Sequence, residues 1–434
     1  MKPRPTQLPQ GARSYLPDEA ERKRHVEASL LGVFRRWGYR EIVTPTFEYS
    51  DVLAAGTDID VQGNMFTLVD RETGRALALR PDITPQIARV VATRLRDEPK
   101  PIRLAYVTNV FRYDEPRVSH YREFYQAGVE LVGLDQPEAE VEVIAMAIEG
   151  LRALGLERFQ IDLGHPDFFR GLLDEAKTDT AQGRELRATL ARKDGSTLER
   201  LVADLAPPAH VRDALLALPT LFGREAVLDR AAGFARNERS ARALANLAEV
   251  YRLLKIYGLV ESVLLDLGEV RVFDYYSGTY LEAYVAGFGA SIAAGGRYDD
   301  MLGRFGYDCA AVGFAFDVGR ALSVMETQGV PVPLPGPDFF IIDFTREKTA
   351  ALSLARRLRD LGASVARDII SRGLEESVEY ARAQRVGQIL VIGHPRAGAN
   401  EVVAMNLADG SERRLGVGEI LDHPERVFRG GNHA

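Results

Sequence analysis

Residues 109–133, NVFRYDEPRVSHYREFYQAGVELVG, constrain this chain more than any other stretch. Apolar residues at both ends bracket a polar loop of Arg, Asp, Glu and His, the pattern of two strands joined by a charged hairpin. Such a hairpin can hold a charged small molecule between fixed guanidinium and carboxylate groups.

The chain has 434 residues, enough for two or three domains and a large buried core. Its net charge of −7 opposes a dominant non-specific role on nucleic acid, which favours a basic face. A single cysteine, Cys309, excludes an internal disulfide, and seven scattered histidines form no visible zinc pattern, so no metal or cofactor is expected. The first 17 residues lack an apolar secretory core and no run reaches transmembrane length. A soluble cytoplasmic protein is the expectation.

Patterning divides the chain. Asp18 and Glu21 after Pro17 read as a capping box, and Val26, Leu30, Val33, Phe34 and Trp37 then share one helical face ended by Gly38. Residues 40–49 read as a strand broken by Pro45, residues 65–82 as a hairpin, and residues 84–95 as a helix. Val141, Ile144, Ile148 and Leu151 line a further helix, followed by a strand at 158–165. From 166 to 258 alternation gives way to Ala, Leu, Arg and Glu at helical spacing, a helical insertion. Residues 263–287 read as a hairpin turning at Ser277-Gly278, and 310–329 as a strand running into a helix. The Pro-rich segment 331–338 is the clearest linker, and a β-α-β-α-β pattern follows it.

Seven separated segments resemble the class II histidyl-tRNA synthetase family. LPQGARSYLPDEA resembles its opening, and WGYREIVTPTFEY its motif 1, which implies a homodimer interface. LALRPDITPQIARV resembles the loop that holds the histidine ammonium, and residues 109–133 resemble motif 2. VRVFDYYSGT with AAGGRYDDML resembles the histidine loops, and VGFAFDVGRAL occupies the place of motif 3. TPTFEYSDVL, LALRPDITPQIAR and YREFYQAGVELVG look closer still to the paralogous regulatory subunits of ATP phosphoribosyltransferase. The implied fold is α+β: a class II synthetase-like antiparallel sheet with flanking helices over residues 1–330, interrupted by the insertion, then an α/β domain over 337–425 resembling an anticodon-binding domain. The implied role is non-catalytic. The chain would join a short catalytic subunit in a hetero-oligomer, support its activity in the first step of histidine biosynthesis, and transmit feedback inhibition by L-histidine. Histidine–tRNA ligation is the alternative.

Carried across by position, the resemblance places Asp82 and Thr84 on the histidine ammonium and Arg271 on its carboxylate. It sets Gln126 and Glu130 on the imidazole, Tyr275, Tyr276 and Tyr298 as walls, and Arg112 at the mouth. Each residue also has a plainer use. Asp82 suits a helix N-cap. Gln126 and Glu130 share a strand face and can pair there. Tyr275 and Tyr276 fall on opposite faces of a strand, so one can be core packing. Arg271 can be a surface ion pair.

The nucleotide side of the family pattern is altered. The motif 2 stretch reads RYDEP, with Asp114 and Glu115 where the synthetase has Glu and Arg, and Ser119-His120 stands for Gly-Arg. His120 reads as a loop residue, not a general base. Motif 3 keeps Arg320 but has Asp317 and Gly319 where the synthetase has Gly and Glu, and Val272 replaces a glycine. An Arg-to-Glu exchange shifts charge by two units against a polyanion, so adenylation chemistry is disfavoured. In the C-terminal domain Glu375, Glu376 and Glu379 place three carboxylates where phosphate would approach, which makes a nucleic-acid partner unlikely.

Overall fold

A computed structural model describes residues 6–56, 62–113, 121–270, 275–394, 398 and 400–428. The chain divides into two compact units, Met1–Val332 and Pro333–Ala434.

The first unit is built on β1 (Arg40–Glu41), β2 (Phe47–Tyr49), β3 (Thr67–Val69), β4 (Ala76–Leu79), β5 (Ile102–Phe111), β6 (Glu123–Val132), β7 (Phe159–Gly164), β8 (Phe222–Gly223), β9 (Val263–Asp266), β10 (Tyr280–Val285), β11 (Ala293–Arg297) and β12 (Ala311–Asp317). Nine of these form one sheet in the order β1-β5-β6-β12-β11-β10-β7-β9-β8. All neighbours are antiparallel except β1–β5 and β7–β9. The expected hairpin is its spine: β5 and β6 pair from Ile102↔Val132 to Phe111↔Glu123.

The period of two along these strands sorts their side chains. On one face Ala127, Val129 and Leu131 of β6 and Val312, Phe314 and Phe316 of β12 are buried with Leu30 and Phe34 of the Pro17–Arg36 helix and Ile144 and Ile148 of the Pro137–Ala153 helix. Burying each large apolar side chain contributes roughly 1.5–3 kcal/mol, so this face anchors the unit. The opposite face gathers Leu104, Tyr106 and Tyr298 with Ile83, Ile87 and Val91 of the Thr84–Arg94 helix. That face carries the site.

Several expectations change in detail. The first helix begins at Pro17, and Glu19, not Glu21, accepts from the backbone N–H of Leu16 at 2.9 Å. Pro45 does more than interrupt a strand: β1 pairs with β5, whereas β2 leaves for a separate sheet of order β2-β4-β3. Residues 263–287 do not form a hairpin, because β7 lies between β9 and β10. Ser277-Gly278 packs instead on Arg297, whose carbonyl accepts from Ser277 N at 2.8 Å; a Cβ on Gly278 would come within 2.7 Å of Arg297 Cδ. The 166–258 stretch is helical apart from β8, which closes the sheet beside β9.

The second unit has parallel strands β13 (Phe339–Asp343), β14 (Val365–Arg367) and β15 (Gln388–Ile392), joined through helices Thr349–Asp360 and Leu374–Ala383. An unanticipated antiparallel pair, β16 (Glu401–Asn406) and β17 (Glu412–Gly416), extends the sheet to the order β14-β13-β15-β16-β17. Gly410, at φ +71°, makes their turn, and its N–H donates to Asn406 O at 2.9 Å. Phe339 and Ile341 enter one core of this unit, Phe340 and Ile342 the other.

Candidate functional site

The site is a polar patch set into a tyrosine-walled part of the sheet. Gln126, Gly128 and Glu130 lie on the same face of β6, and on β12 they oppose Asp317, Ala315 and Gly313. The small residues are required by what lies across them. A Cβ on Gly128 would come within 2.6 Å of the Tyr106 hydroxyl, and one on Gly313 would overlap Glu130 Oε2.

Glu130 is 1% exposed. Its Oε1 accepts from Thr84 Oγ1 at 2.8 Å, and its Oε2 accepts a short hydrogen bond from the Tyr298 hydroxyl. No described cation pairs with it. Burial pushes its pKa up to about 8; the two hydroxyls pull it down, and Asp82 pushes it further up. Tyr298 meets Tyr275 edge to face at 6.2 Å, and Tyr275 meets Tyr276 at 4.8 Å. All three rings are buried, so Tyr275 and Tyr276 do not divide between two strand faces: both belong to a loop. Arg170 Nη1 donates to Tyr276 O at 2.8 Å and ties that loop to the Pro166–Ala176 helix.

Asp82 sits just ahead of the Thr84–Arg94 helix and accepts from Ile83 N at 2.7 Å and Thr84 N at 3.4 Å. Ile83, not Asp82, is the N-cap of that helix, so Asp82 makes a turn ahead of it and stays beside Glu130. Thr84 is presented to Glu130 because Arg80 holds the preceding turn. Arg80 is buried and donates to Asn109 O at 2.7 Å, Thr44 O at 3.0 Å, Pro45 O at 3.1 Å and Asn109 Oδ1 at 2.8 Å.

At the mouth, Arg112 Nε donates to Pro81 O at 2.7 Å and its guanidinium lies 5.3 Å from the Phe124 ring. Gln126 Oε1 is buried with no hydrogen-bond partner among the described residues. Asp317 ends β12 and caps the Val318–Thr327 helix, accepting from Arg320 N at 2.9 Å. Burial raises its pKa, against the pull of Arg320 and Arg112.

Of the residues singled out from sequence, Thr84, Glu130 and Tyr298 form one hydrogen-bonded group, with Tyr275, Tyr276 and Asp82 around it. Gln126 and Arg112 lie toward the opposite end, near Asp317. Arg271 is outside the described residues, as are Val272, Asp114, Glu115, Ser119 and His120. Sequence reasoning passed over Tyr106, Gly128 and Gly313. Tyr106 had a readable signal: it alternates with Leu104 and Thr108 on the strand facing Gln126 and Glu130. Among the described residues no group of three or more His, Cys, Asp or Glu is placed to hold a metal ion, and no helix is long and apolar enough to cross a membrane.

Comparison with known proteins places this geometry. The family model for histidyl-tRNA synthetase matches residues 11–321. The ATP phosphoribosyltransferase regulatory subunit of Geobacter sulfurreducens is 39% identical over 414 residues, 95% of this chain and 94% of that protein. The regulatory subunit of Syntrophotalea carbinolica is 40% identical over 414 residues, 95% of this chain and 96% of its own. A crystal structure described as an ATP phosphoribosyltransferase regulatory subunit/histidyl-tRNA synthetase from Bacillus halodurans superposes with TM-score 0.79 at 30% identity, covering 90% of this chain and 99% of that one. The histidyl-tRNA synthetase of Nostoc sp. PCC 7120 shares the fold, with TM-score 0.80 at 21% identity over 97% of this chain and 99% of that one.

Proposed function

Because the chain belongs to the family of ATP phosphoribosyltransferase regulatory subunits, which is built on the histidyl-tRNA synthetase fold, we propose that it senses free L-histidine for a separate catalytic subunit and performs no chemistry of its own. In this reading it is a cytoplasmic component of a hetero-oligomer with a homodimeric core. It is required for the activity of a short ATP phosphoribosyltransferase at the first step of histidine biosynthesis, and it carries the feedback inhibition. Val43, 87% exposed, and Phe47, 54% exposed, give the 40–49 edge an apolar surface suited to a second copy.

One observation carries the reading: Glu130 is a buried carboxyl supplied with two hydroxyl donors and no described cation. A ligand that brings an N–H or a positive charge completes it, and imidazole brings either. Gln126 Oε1, buried without a hydrogen-bond partner among the described residues, supports a second donor from the ligand, as the other imidazole N–H provides. In this reading Asp82 and Thr84 hold the ammonium and Arg271 the carboxylate, Gln126 and Glu130 read the imidazole between Tyr275, Tyr276 and Tyr298, and Arg112 lies at the mouth. Inhibition follows if histidine favours one state of the assembly over another; equal affinity for both shifts nothing.

Titration calorimetry with histidine tests this. Glu130→Gln removes the charge but keeps the shape, and weakens binding by about tenfold or more. Unchanged affinity in that variant would sink the pocket assignment. Histidine–tRNA ligation remains the rival because Arg112 and Arg320 persist and a C-terminal α/β unit is present. Robust histidine-dependent exchange of pyrophosphate into ATP would decide for the ligase.

A further inference from the structure

Three sources of positive potential meet where β12 ends: the Arg320 guanidinium, the Arg112 guanidinium and the first turn of the ten-residue Val318–Thr327 helix. Two guanidiniums and exposed helix N–H groups are a general recipe for seating a multiply charged anion. In this chain a side chain already stands there. Asp317 Oδ1 accepts from Arg320 N at 2.9 Å, and Asp317 Oδ2 lies 3.3 Å from Arg320 Nε. The second contact is an ion pair without hydrogen-bond geometry, since Arg320 Nε has no hydrogen-bond partner. Arg112 acts on the same carboxylate. Further donors are engaged by backbone: Arg320 Nη1 by Ser291 O at 2.7 Å and Arg112 Nε by Pro81 O at 2.7 Å. Gly319 gives the carboxylate room, as a Cβ there would come within 3.3 Å of Asp317 Oδ1.

We propose that Asp317 is an internal counter-anion that makes this pocket reject polyphosphates, so that an amino acid binds where a nucleoside triphosphate does not. The proposal rests on the reading of the pocket given above and names the residue that sets its selectivity. The Asp317 side chain is 19% exposed, so water screens it poorly. A phosphate drawn to Arg320 must lie against a half-shielded like charge, and repulsion at such range strengthens as local dielectric falls. An amino-acid zwitterion seated toward Glu130 carries no net charge and so meets far less of that repulsion.

The plain alternative is that Asp317 is a helix cap and nothing more. Asparagine caps as well as aspartate and carries no charge, so Asp317→Asn separates the two roles. The measurement is equilibrium dialysis of the full-length chain against magnesium ATP and against inorganic tripolyphosphate. Wild type, Asp317→Asn and Asp317→Gly are compared, with histidine calorimetry on the same preparations. Both substitutions are expected to tighten tripolyphosphate and ATP binding by about tenfold or more, with the gain shrinking as salt is raised. Histidine affinity is expected to change several-fold less than polyphosphate affinity in Asp317→Asn. Equal polyphosphate affinity in wild type and Asp317→Asn, whether weak or tight, overturns the proposal even if Asp317→Gly fails to fold. Absent histidine binding in every form, with polyphosphate still gained in Asp317→Asn, upholds the counter-anion and removes only the histidine reading.

Discussion

Glu130 and Glu140 are both buried carboxyls of the first unit, and burial raises the pKa of each. Their surroundings differ. Glu140 Oε2 accepts from Arg297 Nη2 at 2.7 Å, and the same guanidinium donates to Leu134 O and Gln136 O, each at 3.1 Å. Glu130 has two hydroxyls and no described cation. The first carries its own counter-charge, although Glu140 Oε1 is buried without a hydrogen-bond partner among the described residues, and it joins β11 to the Pro137–Ala153 helix. The second has no counter-charge among the described residues, and burial raises its pKa to about 8. A charge that the fold neutralises is architecture; a charge that the fold leaves unneutralised, in a walled pocket, calls for something from outside.

The contrast can be broken most sharply by truncation. Glu140→Ala deprives Arg297 of its buried partner, leaves it only the more exposed Asp299, and lowers stability by about 3 kcal/mol in urea denaturation. Glu130→Gln should leave the midpoint equal or higher, because it deletes a charge the fold does not balance. Equal losses in the two variants would erase the distinction. Next in size is Gly313→Ala, whose added Cβ overlaps Glu130 Oε2. Overpacking there costs about 1–3 kcal/mol. It should be non-additive with Glu130→Ala by at least about 0.5 kcal/mol in a double-mutant cycle. Strict additivity would mean that the two side chains do not compete for one space.

The last test is a pH slope, small per unit and cumulative across its window. The folded Glu130 value of about 8 lies above its ordinary 4.5. The folded state therefore holds the extra proton between these values, and its contribution is full below the lower one and lost as pH rises through the higher one. Wild-type stability relative to Glu130→Gln should fall by up to about 1.4 kcal/mol per pH unit inside that window. A flat difference from about pH 5.5 to about pH 8.5 would show that Glu130 titrates normally.

What the sequence made legible was whatever depends on neighbours along the chain. The alternation of Gln126, Gly128 and Glu130 put them on one face, and the β5–β6 hairpin formed as its polar loop indicated. The Thr84–Arg94 helix followed from its periodicity. What depended on distant partners was lost. Ser277-Gly278 carries turn residues, yet β7, more than a hundred positions earlier, takes the place beside β10. The walls formed by Tyr275 and Tyr276 could not be read from strand alternation, because that segment is a loop fastened by Arg170. The β16–β17 pair did have a local sign, the Asp409-Gly410 turn between two short runs. Gly313 could not be recognised as necessary until the side chain lying across it was known.

Arg80 gives the site a mechanical character. Its acceptors are carbonyls, hydroxyls and an amide drawn from the Thr44-Pro45 bend and the end of β5, while its own backbone leads straight into Asp82 and Thr84. The loop beside Glu130 therefore has no slack of its own. A pull on Thr84 is thereby passed through one guanidinium to the Thr44-Pro45 bend and the last residues of β5.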